Sequence, residues 1–246
     1  MAIRGPQIPG REARRVVTDR RHSVPFDPEY FAGRAAAGEG FTPAEAFRHA
    51  LRANHWAGTE SSSGPGSGLA QTAALRTALP QLFRRLGIAS LLDVPCGDWR
   101  WLATVDLGSL HYTGGELLEE LVEQNRRLHG GPDRIFARLD LTASNLPTAD
   151  LLLCRDCLVH LSFADIDKAL RNIRRSSLAY LLTTTFPAES VNADIVTGDW
   201  RPLNLQAAPF NLPTPVELIN EGCTEGDGAF ADKSLGLWRI RDLPGQ

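Results

Sequence analysis

No apolar run in this chain of 246 residues approaches the length of a membrane span. No apolar stretch follows the arginines near the N-terminus, so a secretory signal is not expected. Neither sign of charge dominates. Lysine plus arginine number 26 against 29 acids, net −3, which gives no bulk footprint for nucleic acid or an anionic membrane. Cysteine is scarce. Three of the four, Cys96, Cys154, Cys157 and Cys223, lie in or beside apolar strand-like runs, as buried thiols of a cytoplasmic protein would. Cys154-x-x-Cys157 has no second paired motif and Asp156 with His160 has no evident third ligand, so neither a structural zinc nor any other metal is expected. No internal repeat is present. With 43% apolar residues the chain can bury a sizeable core, as one large domain or a core with extensions.

Residues 1–24 are crowded with arginine and read as a mobile, solvated tail or a contact for an anionic partner. Residues 25–68 read as an N-terminal helix and lid segment. The helix covers 43–53 with Thr42 as its cap. The Ser/Gly-rich stretch 60–68, just after Trp56, reads either as a flexible linker or as a loop that closes over a ligand. Leucines and a phenylalanine at helical spacing mark a helix within 69–86.

From residue 88 strands alternate with helices. Strands are expected at 90–94, 111–115, 134–138, 150–154 and 180–185, and helices near 99–105, 117–129 and 164–174. Such alternation builds an α/β fold with a parallel sheet covered on both faces, all strand C-termini meeting at one rim. Two further strands, 215–221 and 234–241, suit a closing antiparallel hairpin. The core then occupies 69–246, with a substrate-side insertion at 187–214.

Four features converge on that rim. The first is the turn Asp93-Val94-Pro95-Cys96-Gly97-Asp98, with Asp98 placed to cap a following helix. The second is Glu116, at about the interval where an acid binds ribose hydroxyls in nucleotide folds. The third is Asp140-Leu141, a carboxylate and an apolar side chain suited to adenine. The fourth is Cys154-Arg155-Asp156. Singly, each has a structural reading: a helix cap, a helix N-terminus partner, a turn residue. In order at successive strand ends they form a set. The turn lacks the full G-x-G-x-x-G pattern, has Pro95 where a pyrophosphate needs close backbone approach, and is followed by no lysine at P-loop spacing. A ligand with ribose and adenine but no phosphate fits better, and S-adenosylmethionine is one.

On these residues the chain resembles class I S-adenosylmethionine-dependent methyltransferases. More narrowly it is similar to a group of small bacterial methyltransferases, through LDVPCGDW, DLLLCRDCLVHLS, LLTTTF and GDWRPLNLQAAPFNLP. The resemblance runs from about Trp56 to the end. It implies a Rossmann-like seven-stranded sheet, six strands parallel and one antiparallel, with an N-terminal helical lid. It implies that the Asp93–Gly97 loop holds the amino acid part of the cofactor, Glu116 the ribose, and Asp140 and Leu141 the adenine. Pro95 departs from the glycine-rich loop usual in the superfamily. Trp56, Cys96, Asp98, Leu117 and Arg155 complete the expected cofactor set.

The expected reaction is methyl transfer from S-adenosylmethionine to a hydroxyl or amine of a small polar molecule, a sugar or a specialised-metabolite precursor. His160 is the candidate general base, with Asp156 four residues earlier to orient its ring. The alternative is a histidine that packs under the loop and only hydrogen-bonds backbone. The irregular, proline-rich stretch 192–213 suits a roof over the cleft, with Asn192, Trp200, Arg201 and Asn204, and Thr185 at the preceding strand end, facing an oxygen-rich acceptor. Two other functions stay open: a nucleotide-dependent oxidoreductase and a non-catalytic S-adenosylmethionine-binding module. A nucleic acid acceptor is disfavoured because the fourth strand lacks an Asn/Asp-Pro-Pro-aromatic run. No membrane partner is expected, and a homodimer is left open.

Overall fold

The computed structural model describes residues 26–245, so the arginine-rich stretch 1–24 lies outside the described residues. Seven strands form one sheet: β1 (Ser90–Asp93), β2 (His111–Glu116), β3 (Arg134–Arg138), β4 (Leu151–Cys154), β5 (Tyr180–Thr185), β6 (Glu217–Asn220) and β7 (Ser234–Arg239). Their order is β3-β2-β1-β4-β5-β7-β6. Neighbours among β1 to β5 pair in parallel, β7 runs against both β5 and β6, and β6 therefore points with the other five. Six strands in one direction and one reversed is the Rossmann-like arrangement that the resemblance implies.

The strand sequences explain the order. β4 is Leu-Leu-Leu-Cys, fully buried on both faces, and it takes a central place, as a strand covered on both sides must. β3 carries an exposed Ile135 and sits at an edge. On one face, α5 (Phe163–Arg175) lays Ile166, Ala169, Leu170 and Ile173 over Leu92, Leu152 and Leu181, together with Leu203 and Leu205 of the insertion. On the other, α3 (Ala73–Leu86) lays Leu75, Leu79 and Leu82 over Leu91, Leu151 and Leu153, beside Trp99 and Trp101. The remaining helices are α1 (Tyr30–Ala36), α2 (Pro43–Ala53) and α4 (Glu119–His129). Thr42 caps α2 in a reciprocal capping box with Glu45, and Pro43 opens its first turn. No helix among the described residues is long and apolar enough to cross a membrane.

One expected helix does not form. Residues 99–105 make a single 3-10 turn, Leu102–Thr104, because Trp99 is left-handed at φ 56° and buries its ring against Tyr112 and Phe136. Asp98 therefore has no helix to cap. Its carboxylate accepts instead from Ser61 Oγ at 2.9 Å and from the Ser62 N–H at 2.7 Å. Through this contact the segment 60–68 is folded down on the turn after β1, and Ser61 is buried.

Candidate active site

The turn after β1 is built by glycine geometry and backbone pairing. Val94 N–H bonds to Leu153 O and Cys96 N–H to Gly115 O, both at 2.9 Å, which carries the chain past the ends of β2 and β4. Gly97 is left-handed at φ 54°, and a side chain there would lie 2.3 Å from Ser63 Oγ. Its N–H donates to Glu116 Oε2 at 3.2 Å, and its carbonyl accepts from Asn125 Nδ2 at 2.7 Å.

Glu116 ends β2, buried. Its Oε1 accepts from Leu117 N–H at 2.8 Å and Leu118 N–H at 3.3 Å, leaving Oε2 with the long Gly97 bond alone. Burial raises its pKa and these three N–H groups pull against that, but burial prevails and the pKa stands above the ordinary value. Asp93 ends β1, buried, and accepts from Tyr112 Oη at 2.7 Å. Burial outweighs that bond and pushes its pKa up to about 7. Asp140 is held as a turn residue, accepting from Thr142 N–H at 2.8 Å and Thr142 Oγ1 at 2.6 Å, with Leu141 buried beside it.

The rim brings together all eleven residues expected to bind the cofactor. Trp56, Asp93, Pro95, Cys96, Gly97, Asp98, Glu116, Leu117, Asp140, Leu141 and Arg155 line one cleft. Ser62, Ser63 and Ser67 of the folded-down segment close it on one side and Phe47 and Leu51 of α2 on another. The indole Nε1 of Trp56 and the Oγ of Ser62 are buried in this wall with no partner among the described residues.

Beyond the end of β4 the sequence Arg155-Asp156 enters a buried charge cluster. Arg155 donates to Glu221 Oε2 at 2.6 Å, lies 3.1 Å from Asp156 Oδ2 and donates to Gly66 O at 2.8 Å. Lys233 Nζ lies 2.8 Å from Asp156 Oδ2 and 3.8 Å from Glu221 Oε2. Burial works against the charges of Arg155, Asp156 and Lys233. The neighbouring carboxylates nonetheless raise Arg155 and Lys233, and the two cations hold Asp156 well below the usual carboxylate range. Asp156 is left-handed at φ 51°, with its N–H donating to Thr184 Oγ1 at 2.8 Å.

His160 does not take the expected partner. Asp156 is committed to Arg155 and Lys233, and the imidazole Nδ1 lies 2.9 Å from the main-chain oxygen of Asp199. A carbonyl only accepts, so Nδ1 carries the proton and Nε2 of the neutral ring is left as an acceptor. Burial lowers the His160 pKa to about 4, against the pull of the Asp199 carbonyl and Asp156. The ring leans on Trp56 with centroids 5.1 Å apart.

A second cavity adjoins the first. Trp56, Ser63, Asp156 and His160 line both. Trp200, Phe186 and Phe230 form an aromatic wall of the second, and Cys223, Glu225 and Lys233 line it from the β6–β7 connection. Of the residues expected to face an acceptor, Trp200 alone lines this cavity. Thr185 Oγ1 is buried against the backbone of Leu203 and Leu205. Asn192 donates to the carbonyls of Asn204 and Ala208, and Asn204 to those of Pro187 and Glu189. Arg201 donates to the carbonyls of Leu158, Leu161 and Ala193, and burial lowers its pKa to about 10. These four hold the insertion in shape, because a long irregular segment needs side chains to satisfy its backbone. Glu221, Cys223, Glu225, Phe230 and Lys233 went unread in the sequence, since no local pattern marks the β6–β7 connection as part of the rim. All four cysteines are free thiols, and no cluster of metal-binding side chains occurs among the described residues.

No family model matches the chain, and no curated protein sequence matches it. Its fold is that of solved methyltransferases. The mitomycin 7-O-methyltransferase MmcR is 16% identical, covers 82% of this chain and 62% of its own, and superposes with a TM-score of 0.60. Human N-acetylserotonin methyltransferase, solved in complex with SAM, is 11% identical over 80% of this chain and 56% of its own, with a TM-score of 0.51. The methyltransferase domain of bacterial CtHen1 is 11% identical over 70% of this chain and 100% of its own, with a TM-score of 0.50. The present chain thus spans only part of the length of the first two.

Proposed function

We propose that this protein transfers a methyl group from S-adenosylmethionine to a hydroxyl or amine of a small molecule. The observation that carries the reading is the neutral His160, set at the junction of a cleft lined by the strand-end acids and a second cavity fit for an acceptor. The cleft residues suit the cofactor. Glu116 Oε2 has lone pairs to spare for ribose hydroxyls, and Trp56 Nε1 and Ser62 Oγ are buried donors in need of an acceptor.

When bound, the cofactor supplies a methyl carried on a sulfonium, open to direct displacement. Everything else falls to the chain. Asp93, Gly97 and Glu116 hold the ligand at the rim. His160 Nε2 takes the proton of an acceptor hydroxyl, and its low pKa keeps it in the accepting form at neutral pH. The segment 60–68 and Trp56 exclude water from the shared boundary of the two cavities. A specialised-metabolite precursor suits the second cavity better than a sugar, because Asn192, Asn204 and Arg201 turn away from it. The oxidoreductase reading is weakened by Pro95, which removes a backbone donor where a pyrophosphate would sit.

Calorimetric titration with S-adenosylmethionine and S-adenosylhomocysteine tests the reading. Micromolar binding of both is expected. Failure of both to bind would return the strand-end acids to purely structural roles.

A further inference from the structure

The second cavity has a composition of its own, and it is specific enough to name a class of acceptor. Phe186, Trp200 and Phe230 pack edge-to-face, with centroids 4.9–6.1 Å apart, into one continuous aromatic wall. Trp56 also lines the cavity. Walls of this kind suit a planar ring. A sugar would lay hydroxyls against these ring faces, which offer no replacement for the water those hydroxyls lose.

The charges around the cavity do not cancel. Arg155 and Lys233 are matched by Asp156 and Glu221 in the buried cluster. Glu225 is a fifth charge on the same side. Its Oε2 sits 3.0 Å from the point where a Gly66 side chain would begin, and its near contact is the Cys223 thiol at 3.7 Å. Lys233 Nζ lies 3.3 Å from the same point and Arg155 feels the Glu225 charge, but among the described residues no cation is within ion-pair distance of Glu225. The lining charges Asp156, Glu225 and Lys233 therefore sum to one negative charge. A carboxylate left over beside indole and phenyl faces favours a protonated amine twice, by a charge-assisted hydrogen bond and by attraction to the ring faces.

We propose that the second cavity binds an aromatic ring that bears both a hydroxyl and a protonated amine, with Glu225 as the group that selects the amine. This rests on the methyl-transfer reading for the fate of the hydroxyl, but the ligand class is argued from the cavity alone.

The test uses the full chain and three probes: tyramine, para-hydroxyphenylacetate and glucosamine, each titrated with and without S-adenosylhomocysteine. Para-hydroxyphenylacetate keeps the ring and reverses the charge, while glucosamine keeps the amine and loses the ring. Tyramine is expected to bind at least about tenfold tighter than either. Glu225→Gln should cut its lead over the carboxylate to below about threefold, with S-adenosylhomocysteine binding unchanged. Equal binding of the three probes, or a lead for the carboxylate or the sugar, overturns the proposal, and the wild-type ranking decides this even if the variant misfolds. If S-adenosylhomocysteine binds and the ranking fails, the acceptor class alone falls. If it does not bind while tyramine keeps its lead, the cavity assignment stands and the methyl-transfer reading falls.

Discussion

His160 and Asp199 are joined through the main chain: the imidazole Nδ1 donates to the Asp199 carbonyl at 2.9 Å, while the Asp199 carboxylate accepts from the N–H groups of Phe31 and Ala32 at 2.7 and 2.9 Å. One residue thus ties the candidate base to the first turn of α1. The ring is oriented from the insertion side and shares its surroundings with the N-terminal segment. Asp156, the neighbour expected to orient it, faces Lys233 instead.

Replacing His160 by alanine should lower turnover of a hydroxyl acceptor by about 10²–10⁴-fold while leaving S-adenosylhomocysteine affinity intact. A loss below about tenfold would assign the ring to packing. In the wild type the acid limb of kcat/KM should fall near the His160 pKa of about 4 rather than at the ordinary imidazole value of 6.5. A limb at the ordinary value would mean that the ring is solvated in the working enzyme.

Glu116→Ala should weaken cofactor binding by about 1–3 kcal/mol, as loss of a charged acceptor does. Three backbone N–H groups, of Gly97, Leu117 and Leu118, lose their partner at the same time. The turn after β1 should therefore loosen as well, and amide hydrogen exchange at Gly97 should quicken. Unchanged affinity by calorimetry would remove Glu116 from the site.

Arg155→Met should destabilise the fold by about 3–5 kcal/mol, because it leaves Glu221 buried without its hydrogen-bonded cation and with only Lys233, 3.8 Å away. Urea denaturation reads this directly. The paired change Arg155→Met with Glu221→Leu should recover a large part of the loss. If the single variant is as stable as the wild type, the cluster is far better hydrated than its burial indicates.

Asp93 makes stability depend on pH in a definite direction. The unfolded chain releases this proton near the ordinary value of 3.8 and the folded chain near 7, so between them the folded state binds more protons and stability falls as pH rises. His160 acts oppositely: its folded pKa lies below its ordinary value, so stability is lost as pH falls from 6.5 toward 4. Asp93→Asn keeps an acceptor for Tyr112 and should raise Tm at pH 8, with the gain vanishing below pH 4. A gain of equal size at every pH would show that the carboxyl proton is not the cause.

Much of this protein was legible one residue at a time. The apolar runs of β1, β4 and β5 and the helical spacing of α3 and α5 follow from side-chain period and burial, which act over a few residues. Thr42-Pro43 starts α2 by local hydrogen bonding alone. The acids Asp93, Glu116 and Asp140 could be placed on one rim because parallel strands joined by right-handed crossovers leave their C-terminal ends no other arrangement.

Tertiary structure decided the rest, and in each case the partner is distant in sequence. Asp98 turned to Ser61 and Ser62 rather than to a helix, since left-handed Trp99 buried its ring and ended the helical path. Thr185 at the end of β5, and Asn192, Arg201 and Asn204 in the polar loop after it, look like ligand-binding side chains. They became its scaffold because the loop's own carbonyls had no other donors. Glu221 and Lys233 reached Arg155 and Asp156 only through the antiparallel pairing of β7. Local sequence determines which elements form and which strand ends carry acids. Which side chains meet across the rim depends on long-range pairing and on where buried backbone finds its hydrogen bonds, and these are properties of the folded chain as a whole.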